Sequence, residues 1–373
     1  MNSVGLYIHI PYCKMKCHYC DFPSFSGKES TMMQYAKALS KEIDLTCKDK
    51  DIKTIFIGGG TPTYFSLDGW NILKKSIDKL KKEHIEFTIE GNPKTFTKEN
   101  IALFKAMGVN RISIGLQAWQ EHHLKTLGRI HTLEDFKNTY KMLREFQFNN
   151  INIDLMFGLP KQTLEEWKET ISEVIKLNPE HISAYSLIIE EGTQLYKLRE
   201  KNQLLLPDEE LERQMYETTV EVLSSEGYQQ YEISNFSKAK RECEHNLIYW
   251  DLNSYIGCGS SSHSYNYGFR YRNEENIEKY ILKMENESNA IVEKHKNSKE
   301  ENMEEFMFLG LRKTRGIRKS EFKERFSEDI FNVYGAIIEK YEKLNLLKVD
   351  NDAIKLTENG IQVSNTIMSE FLL

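Results

Sequence analysis

The chain has 373 residues, 40% hydrophobic and 28% charged, with a net charge of −6 carried by interspersed acids and bases. That length fits one large α/β domain plus a smaller one, and that charge balance argues against nucleic acid or an anionic membrane as the main partner. No apolar run approaches the roughly 20 residues of a membrane span, and the first ten residues lack the basic and apolar regions of a signal peptide. The expected protein is therefore cytoplasmic and not an integral membrane protein, with its six cysteines serving as metal ligands, reactive groups or buried thiols rather than disulfides.

Short β-branched runs alternate with longer helical patterns. Strands are predicted over 6–10, 54–57, 87–90, 111–115, 151–155 and 181–187. Helices are predicted over 30–47, 67–82, 97–107, 133–148 and 163–177. The internal strands read as apolar runs, as strands covered on both faces do, and strand–helix repetition implies parallel βα units in an open sheet or a barrel. From Pro207 the pattern changes. A helix over 208–227 leads to a strand over 228–233, then to an irregular stretch with His245, Trp250 and a Gly/Ser-rich segment over 257–264. Residues 279–300 read as mixed helix and linker. Helices over 302–313, 320–326 and 329–344, a hairpin over 346–356 turning at Asp350–Asp352 and a last helix over 357–371 form a small winged-helix-like α+β module, whose plain reading is a packing domain without a ligand. The expected divisions are 1–235, 236–297 and 298–373.

The chemistry-bearing residues fall at strand ends. Cys13, Cys17 and Cys20 follow the first strand and Gly58-Gly-Gly-Thr-Pro-Thr63 the second. Glu90-Gly-Asn-Pro93 ends the third and Gly115-Leu-Gln117 the fourth. Asp154 ends the fifth, before Gly158-Leu-Pro160, and Tyr185 and Ser186 lie near the end of the sixth. In parallel α/β folds these ends are where sites are built. The three cysteines, spaced by four and three residues, offer three thiolates and leave one iron of a cubane cluster open. A structural zinc normally takes four protein ligands, and His18, between two of the cysteines, would strain the loop as a fourth. Gly59 and Gly60 leave bare backbone amides for a ligand, yet the run is neither a Walker motif nor a dinucleotide loop. Glu90, Gln117, Arg129 and Asp154 are each structural residues when met singly. Together they offer carboxylates for an ammonium and hydroxyls, and a guanidinium for a carboxylate.

The run Tyr7-Ile-His-Ile-Pro-Tyr-Cys13-x3-Cys17-x2-Cys20, the Gly-Gly-Gly-Thr-Pro-Thr segment, Glu90-Gly-Asn-Pro, Arg111-Ile-Ser-Ile-Gly-Leu-Gln117, Leu127-Gly-Arg-Ile-His131 and Asp154-Leu-Met-Phe-Gly-Leu-Pro160 resemble the radical S-adenosylmethionine (SAM) superfamily. Within it they resemble the oxygen-independent coproporphyrinogen III oxidase branch, over nearly the whole chain. The resemblance implies a partial six-stranded (β/α) barrel and a 4Fe–4S cluster on Cys13, Cys17 and Cys20. It also implies SAM on the open iron and reductive cleavage of SAM to a radical. It places Tyr7, Gly59, Gly60, Thr61 and Glu90 against SAM. Gln117, Arg129 and Asp154 match positions that contact a second SAM in the oxidases.

Two departures point within the branch. The oxidases carry Cys-Gly-Cys at the last cluster ligand, whereas Cys20 is followed by Asp21-Phe22. The chain also begins one strand before the cysteines, so substrate elements borne on the oxidases' N-terminal extension are not expected. His245-Asn-Leu-Ile-Tyr-Trp250 matches the HNxxYW motif of the heme-chaperone group, HemW. The resemblance therefore implies heme as a further cofactor and an acceptor protein as partner, such as a membrane-associated respiratory protein, with the chain a monomer or homodimer. Histidine is the commonest axial ligand of heme iron, and His245 is the candidate here. Its alternative is a hydrogen-bonded structural role, and Cys243 and His263 are lesser candidates. No catalytic residue is assigned. The rival activities are porphyrinogen decarboxylation, porphyrin-directed radical methylation and plain electron transfer.

Overall fold

The structure, a computed structural model, describes residues 3–80 and 85–373, and every count below refers to these. Six strands lie side by side in chain order and run parallel: β1 (Ser3–Ile10), β2 (Asp51–Gly59), β3 (Glu86–Gly91), β4 (Arg111–Gln117), β5 (Ile151–Phe157) and β6 (His181–Ser186). The crossovers carry α1 (Met32–Thr46), α2 (Leu67–Ile77), α3 (Lys98–Met107), α4 (Glu121–Thr126), α5 (Leu133–Glu145) and α6 (Leu164–Lys176). Right-handed crossovers between neighbours taken in order place the helices on one face, which is the predicted partial barrel. Ile8, Ile55, Ile57, Ile89, Ile112, Ile114 and Ile153 are fully buried, as strands covered on both faces require. Thr97, Thr132 and Thr163 each open a capping box, at α3, α5 and α6. These boxes satisfy free amides and fix where the loops after β3, β4 and β5 end.

The sheet continues on both sides. After α7 (Gln194–Glu200) and α8 (Glu209–Ser225), β7 (Gln229–Glu232) and β8 (Asn235–Ser237) form an antiparallel pair, with β8 against β6. After α9 (Glu244–Trp250), β9 (Tyr255–Cys258) lies parallel to β1. It is followed outward by β10 (His263–Asn266), β11 (Phe269–Asn273) and, after α10 (Ile277–Asn286), β12 (Ile291–Lys296). The result is one twelve-stranded sheet.

The C-terminal module is α11 (Lys299–Gly310), β13 (Ile317–Arg318), α12 (Lys319–Phe326), α13 (Ile330–Lys343) and the hairpin β14 (Leu347–Val349) and β15 (Ala353–Leu356). Two short helices close it, α14 (Glu358–Gln362) and α15 (Ser364–Ser369). Its three strands pair β13–β15–β14 over a second core that includes Phe306, Phe322, Tyr334, Ile338 and Phe371. This is the winged-helix-like arrangement that the sequence predicts.

Several expectations are corrected. The stretch expected to be irregular around His245 is α9. Its N-cap Cys243 makes no side-chain cap. The Glu86 carboxylate, on β3, caps it instead, accepting from the Glu244 amide at 3.0 Å and the His245 amide at 3.1 Å. Such a cap is invisible to local sequence patterns. The Gly/Ser-rich segment is also ordered, as β9, a turn and β10. At Gly257 a Cβ would come within 2.3 Å of the His263 carbonyl oxygen, so glycine lets the turn fold back. Part of the predicted helix-and-linker region is β12, whose side chains are mostly exposed and charged and give no apolar alternation. The last predicted helix breaks at Val363 (φ −119°, ψ 24°). The helix predicted over 67–82 ends at Ile77, and residues 81 and 82 of that prediction lie outside the described residues.

Glu42 of α1 fastens the extension to the barrel. Its buried carboxylate accepts from the Gly259 amide (2.7 Å), the Asn273 side chain (2.6 Å) and the Tyr280 hydroxyl (2.5 Å). Glu42→Ala removes the acceptor of buried donors on β11, α10 and the turn after β9. The expected loss is about 2–4 kcal/mol of unfolding free energy, read from the urea midpoint.

Candidate functional site

The cysteine loop leaves β1 and is pinned at several points. Cys13 N donates to the Phe25 carbonyl (2.9 Å) and Phe25 N to that of Pro11 (2.7 Å), while Gly60 N and Thr61 N donate to Ile10 and Tyr12 (2.9 and 2.8 Å). His18 donates from its backbone to Leu127 (2.9 Å) and from Nδ1 to the Thr126 carbonyl (3.0 Å). The ring thus ties the cysteine loop to the end of α4. All six cysteines are free thiols. Cys13 Sγ lies 3.4 Å from the Thr61 hydroxyl, and Arg129 Nη1 donates to Cys17 Sγ at 3.5 Å. Burial raises the pKa of Cys13 and pushes that of Cys20 up to about 11.

Behind this loop sits His9, which is buried. Its Nε2 is 2.8 Å from the Pro23 carbonyl and its Nδ1 3.0 Å from the Tyr7 hydroxyl. A carbonyl only accepts, so Nε2 carries the proton. Burial pushes the ring's pKa down to about 4, so it is neutral, and Nδ1 accepts from Tyr7. One imidazole thereby joins β1 to the exit of the cysteine loop. Gly59, at φ +106°, makes room for it, since a Cβ there would lie 2.4 Å from Cε1 of His9. Gly60 is as constrained, because a Cβ would lie 2.8–2.9 Å from backbone atoms of Ile10 and Tyr12.

The charged groups face the same space. Burial, with Asp154 nearby, pushes the Glu90 carboxyl up to about 8, against the opposing influence of the Gly59 backbone and the Arg111 charge. Asp154, also raised by burial, accepts from Ser113 Oγ (3.0 Å) and Asn152 Nδ2 (2.6 Å). Arg129 donates through Nη2 to the Gly115 carbonyl (2.6 Å), and its buried Nε has no partner. Gln117 takes φ +73° at a register shift between β4 and β5, and its Oε1 accepts from the Tyr185 hydroxyl at 2.9 Å. A non-glycine residue in the left-handed region costs about 1–3 kcal/mol and recurs at functional sites.

His245 lies in α9, fully buried. Its Nδ1 is 2.7 Å from the Thr54 hydroxyl and its Nε2 2.8 Å from the Tyr249 hydroxyl, and the ring stacks on Phe56 at 5.1 Å. Burial pushes its pKa down to about 3. Both nitrogens are engaged, as in the structural reading of this histidine. Cys243, the lesser candidate, is buried with Sγ 3.5 Å from Glu86, and His263 is exposed on β10.

The structure gathers the main candidates and leaves Cys243 and His263 outside. Cys13, Cys17, Cys20, Tyr7, Gly59, Gly60, Thr61, Glu90, Gln117, Arg129, Asp154 and His245 line one cavity of about 590 Å³ at the C-terminal ends of the parallel strands. Three thiols on one side suit an iron–sulfur cluster. An undercompensated carboxylate and an unfilled guanidinium nitrogen beside them suit an amino acid's ammonium and carboxylate. Sequence reasoning gave no role to His9 or Glu86. His9 stands inside the quoted motif, and Glu86 has no local signal.

The match extends to known proteins. A family model described as the radical SAM superfamily matches residues 7–174, and one described as the HemN C-terminal domain matches residues 297–363. A protein named heme chaperone HemW from Bacillus subtilis is 38% identical over 372 residues, covering 98% of both chains. The chain belongs to the HemW family of radical SAM proteins. A HemW from Lactococcus lactis is 34% identical, over 98% of this chain and 97% of its own. Among solved structures, coproporphyrinogen III oxidase (HemN) from Escherichia coli superposes with a TM-score of 0.85 at 22% identity, covering 100% of this chain and 90% of that one. This is likeness of fold.

Gly59→Ala tests the His9 wedge. The methyl group meets the imidazole in a backbone conformation that alanine disfavours. The expected cost is about 1–3 kcal/mol, with lower iron and sulfide content per chain after anaerobic reconstitution.

Proposed function

We propose that this HemW-family protein is a heme chaperone that holds a 4Fe–4S cluster and SAM in its barrel and passes heme to an acceptor protein. The observation that carries the reading is the convergence of the three cysteines, the SAM-contact residues and His245 on one cavity. Cys13, Cys17 and Cys20 would hold the cluster, and Tyr7, Gly59, Gly60, Thr61 and Glu90 would hold SAM. Gln117, Arg129 and Asp154 would complete the far wall. The bound cluster supplies one-electron chemistry to SAM. The protein's residues bind, orient and exclude water. We further propose residues 1–235, 236–297 and 298–373 as functional divisions, and the cytoplasm as the compartment. Among the described residues no helix is long and apolar enough to cross a membrane.

For heme, the proposal uses His245 as a neutral ligand. Its Nε2 would exchange the Tyr249 hydroxyl for iron, while Nδ1 keeps Thr54, in the way an outer partner orients a metal-binding histidine. Asp21-Phe22, with Phe22 in place of a cysteine just past the cluster ligands, supports a chaperone over an oxidase.

The deciding experiment pairs two assays on one anaerobic, reconstituted preparation. Heme titration is expected to saturate, with His245→Ala weakening it and altering the Soret band. Incubation with coproporphyrinogen III, SAM and a reductant is expected to yield no protoporphyrinogen, and appreciable turnover there would overturn the chaperone reading. Cys17→Ser is expected to abolish the cluster absorbance. Glu90 gives a separate check. With its pKa near 8 it is protonated at pH 7, and an arriving ammonium favours the ionised form. SAM binding to cluster-free protein at pH 7 should therefore release a proton, seen as buffer-dependent binding enthalpy, and Glu90→Gln should remove that dependence.

A further inference from the structure

Outside the cavity, α4 and α6 bring together three metal-binding side chains that the reading above does not use. His122 and His123 are consecutive in α4, and Glu166 stands in the first turn of α6. His122 Nε2 lies 3.1 Å from one Glu166 oxygen and His123 Nε2 lies 3.2 Å from the other. All three groups offer donor atoms within 4.8 Å of one another. Ligands about 2.0–2.1 Å from a tetrahedral zinc are themselves separated by about 3.3–3.4 Å, so small side-chain shifts suffice to seat an ion.

The carboxylate is already oriented. Thr163 N donates to Glu166 Oε2 at 3.0 Å. Gln120 Nε2 donates to the Glu166 carbonyl and to Glu169 Oε2, both at 2.9 Å. His123 is fully buried, whereas His122 is 61% exposed, so the cluster is firm on the protein side and open to water on the other.

We propose that His122, His123 and Glu166 form a surface site for a borderline divalent cation, zinc foremost, with water as fourth ligand. Two imidazoles and one carboxylate are the donor set of zinc sites with an open position, and they disfavour magnesium and calcium, which take oxygen ligands. His123 Nδ1 is buried without a partner. Losing such an outer partner typically costs about 10–100-fold in affinity, which makes this a micromolar, exchangeable site. The ion would tie α4 to α6. The carbonyls of Thr126 and Leu127, at the end of α4, hold His18 of the cysteine loop, and Arg129, two residues on, reaches Cys17. Occupancy would thus brace the wall of the cluster cavity from outside.

The test uses cluster-loaded protein, whose three cysteines are occupied, freed of loose metal by a weak chelator and titrated with zinc alone against a chromophoric competitor. Iron and sulfide are counted before and after, so that zinc taken by released thiols is recognised and subtracted. One equivalent at micromolar affinity is expected, with a rise in Tm. His122→Ala, at an exposed position, should weaken binding at least tenfold and abolish the Tm rise. Glu166→Gln, which keeps an acceptor for Thr163 N, should do the same. If wild type takes up no zinc, or no more than His122→Ala, the three residues are a hydrogen-bonded cluster only and the proposal fails.

Discussion

The site is organised around the two hydrogen bonds of His9. Tyr7 lies on β1, Pro23 beyond the cysteines, and the ring between them leans on the bare backbone of Gly59 at the end of β2. A strand, a glycine turn and a long loop thus share one rigid part. Because the imidazole is buried and neutral, its donor and acceptor are fixed by what each neighbour can offer, leaving one arrangement. A loop with three thiols has many compact conformations, and a pin at its exit reduces them before any metal arrives.

A second set of polar contacts links the cavity to α9. Asp154 accepts from Asn152, which accepts from His181 (2.6 Å). His181 meets the Tyr231 hydroxyl (2.9 Å), which accepts from the Cys243 amide (3.2 Å) at the start of α9. Glu86 caps that helix from β3, beside the fully buried Arg111. Buried polar chains of this kind are rigid when satisfied and costly when broken. The helix with His245 is therefore held by the same framework that holds Asp154, although the two lie far apart in sequence.

The barrel and its strand-end residues were legible because each rests on a local signal. Ile55 and Ile57 sit in an apolar run, Thr132 and Thr163 are caps, and Cys13, Cys17 and Cys20 form a spaced motif. What escaped depends on distant partners. α9 is started by a carboxylate from β3 rather than by its own N-cap. β9 fits beside β1 because Gly257 admits the returning turn. β12 carries Glu293, Lys294, His295 and Lys296 with no apolar face to betray a strand. His245 was legible as a motif residue but not in its bonding, since Thr54 and Tyr249 meet it only once α9 has docked.

The charged surface of β12 has one more consequence. It is an outer strand of the twelve-stranded sheet, and its exposed charges oppose pairing with a strand from another chain. The opposite border, β7, is covered by the stretch after α11, where Thr314 N donates to the Tyr231 carbonyl at 3.1 Å and Lys313 bridges to Glu232. Both margins of this sheet are thus guarded against strand addition from another chain.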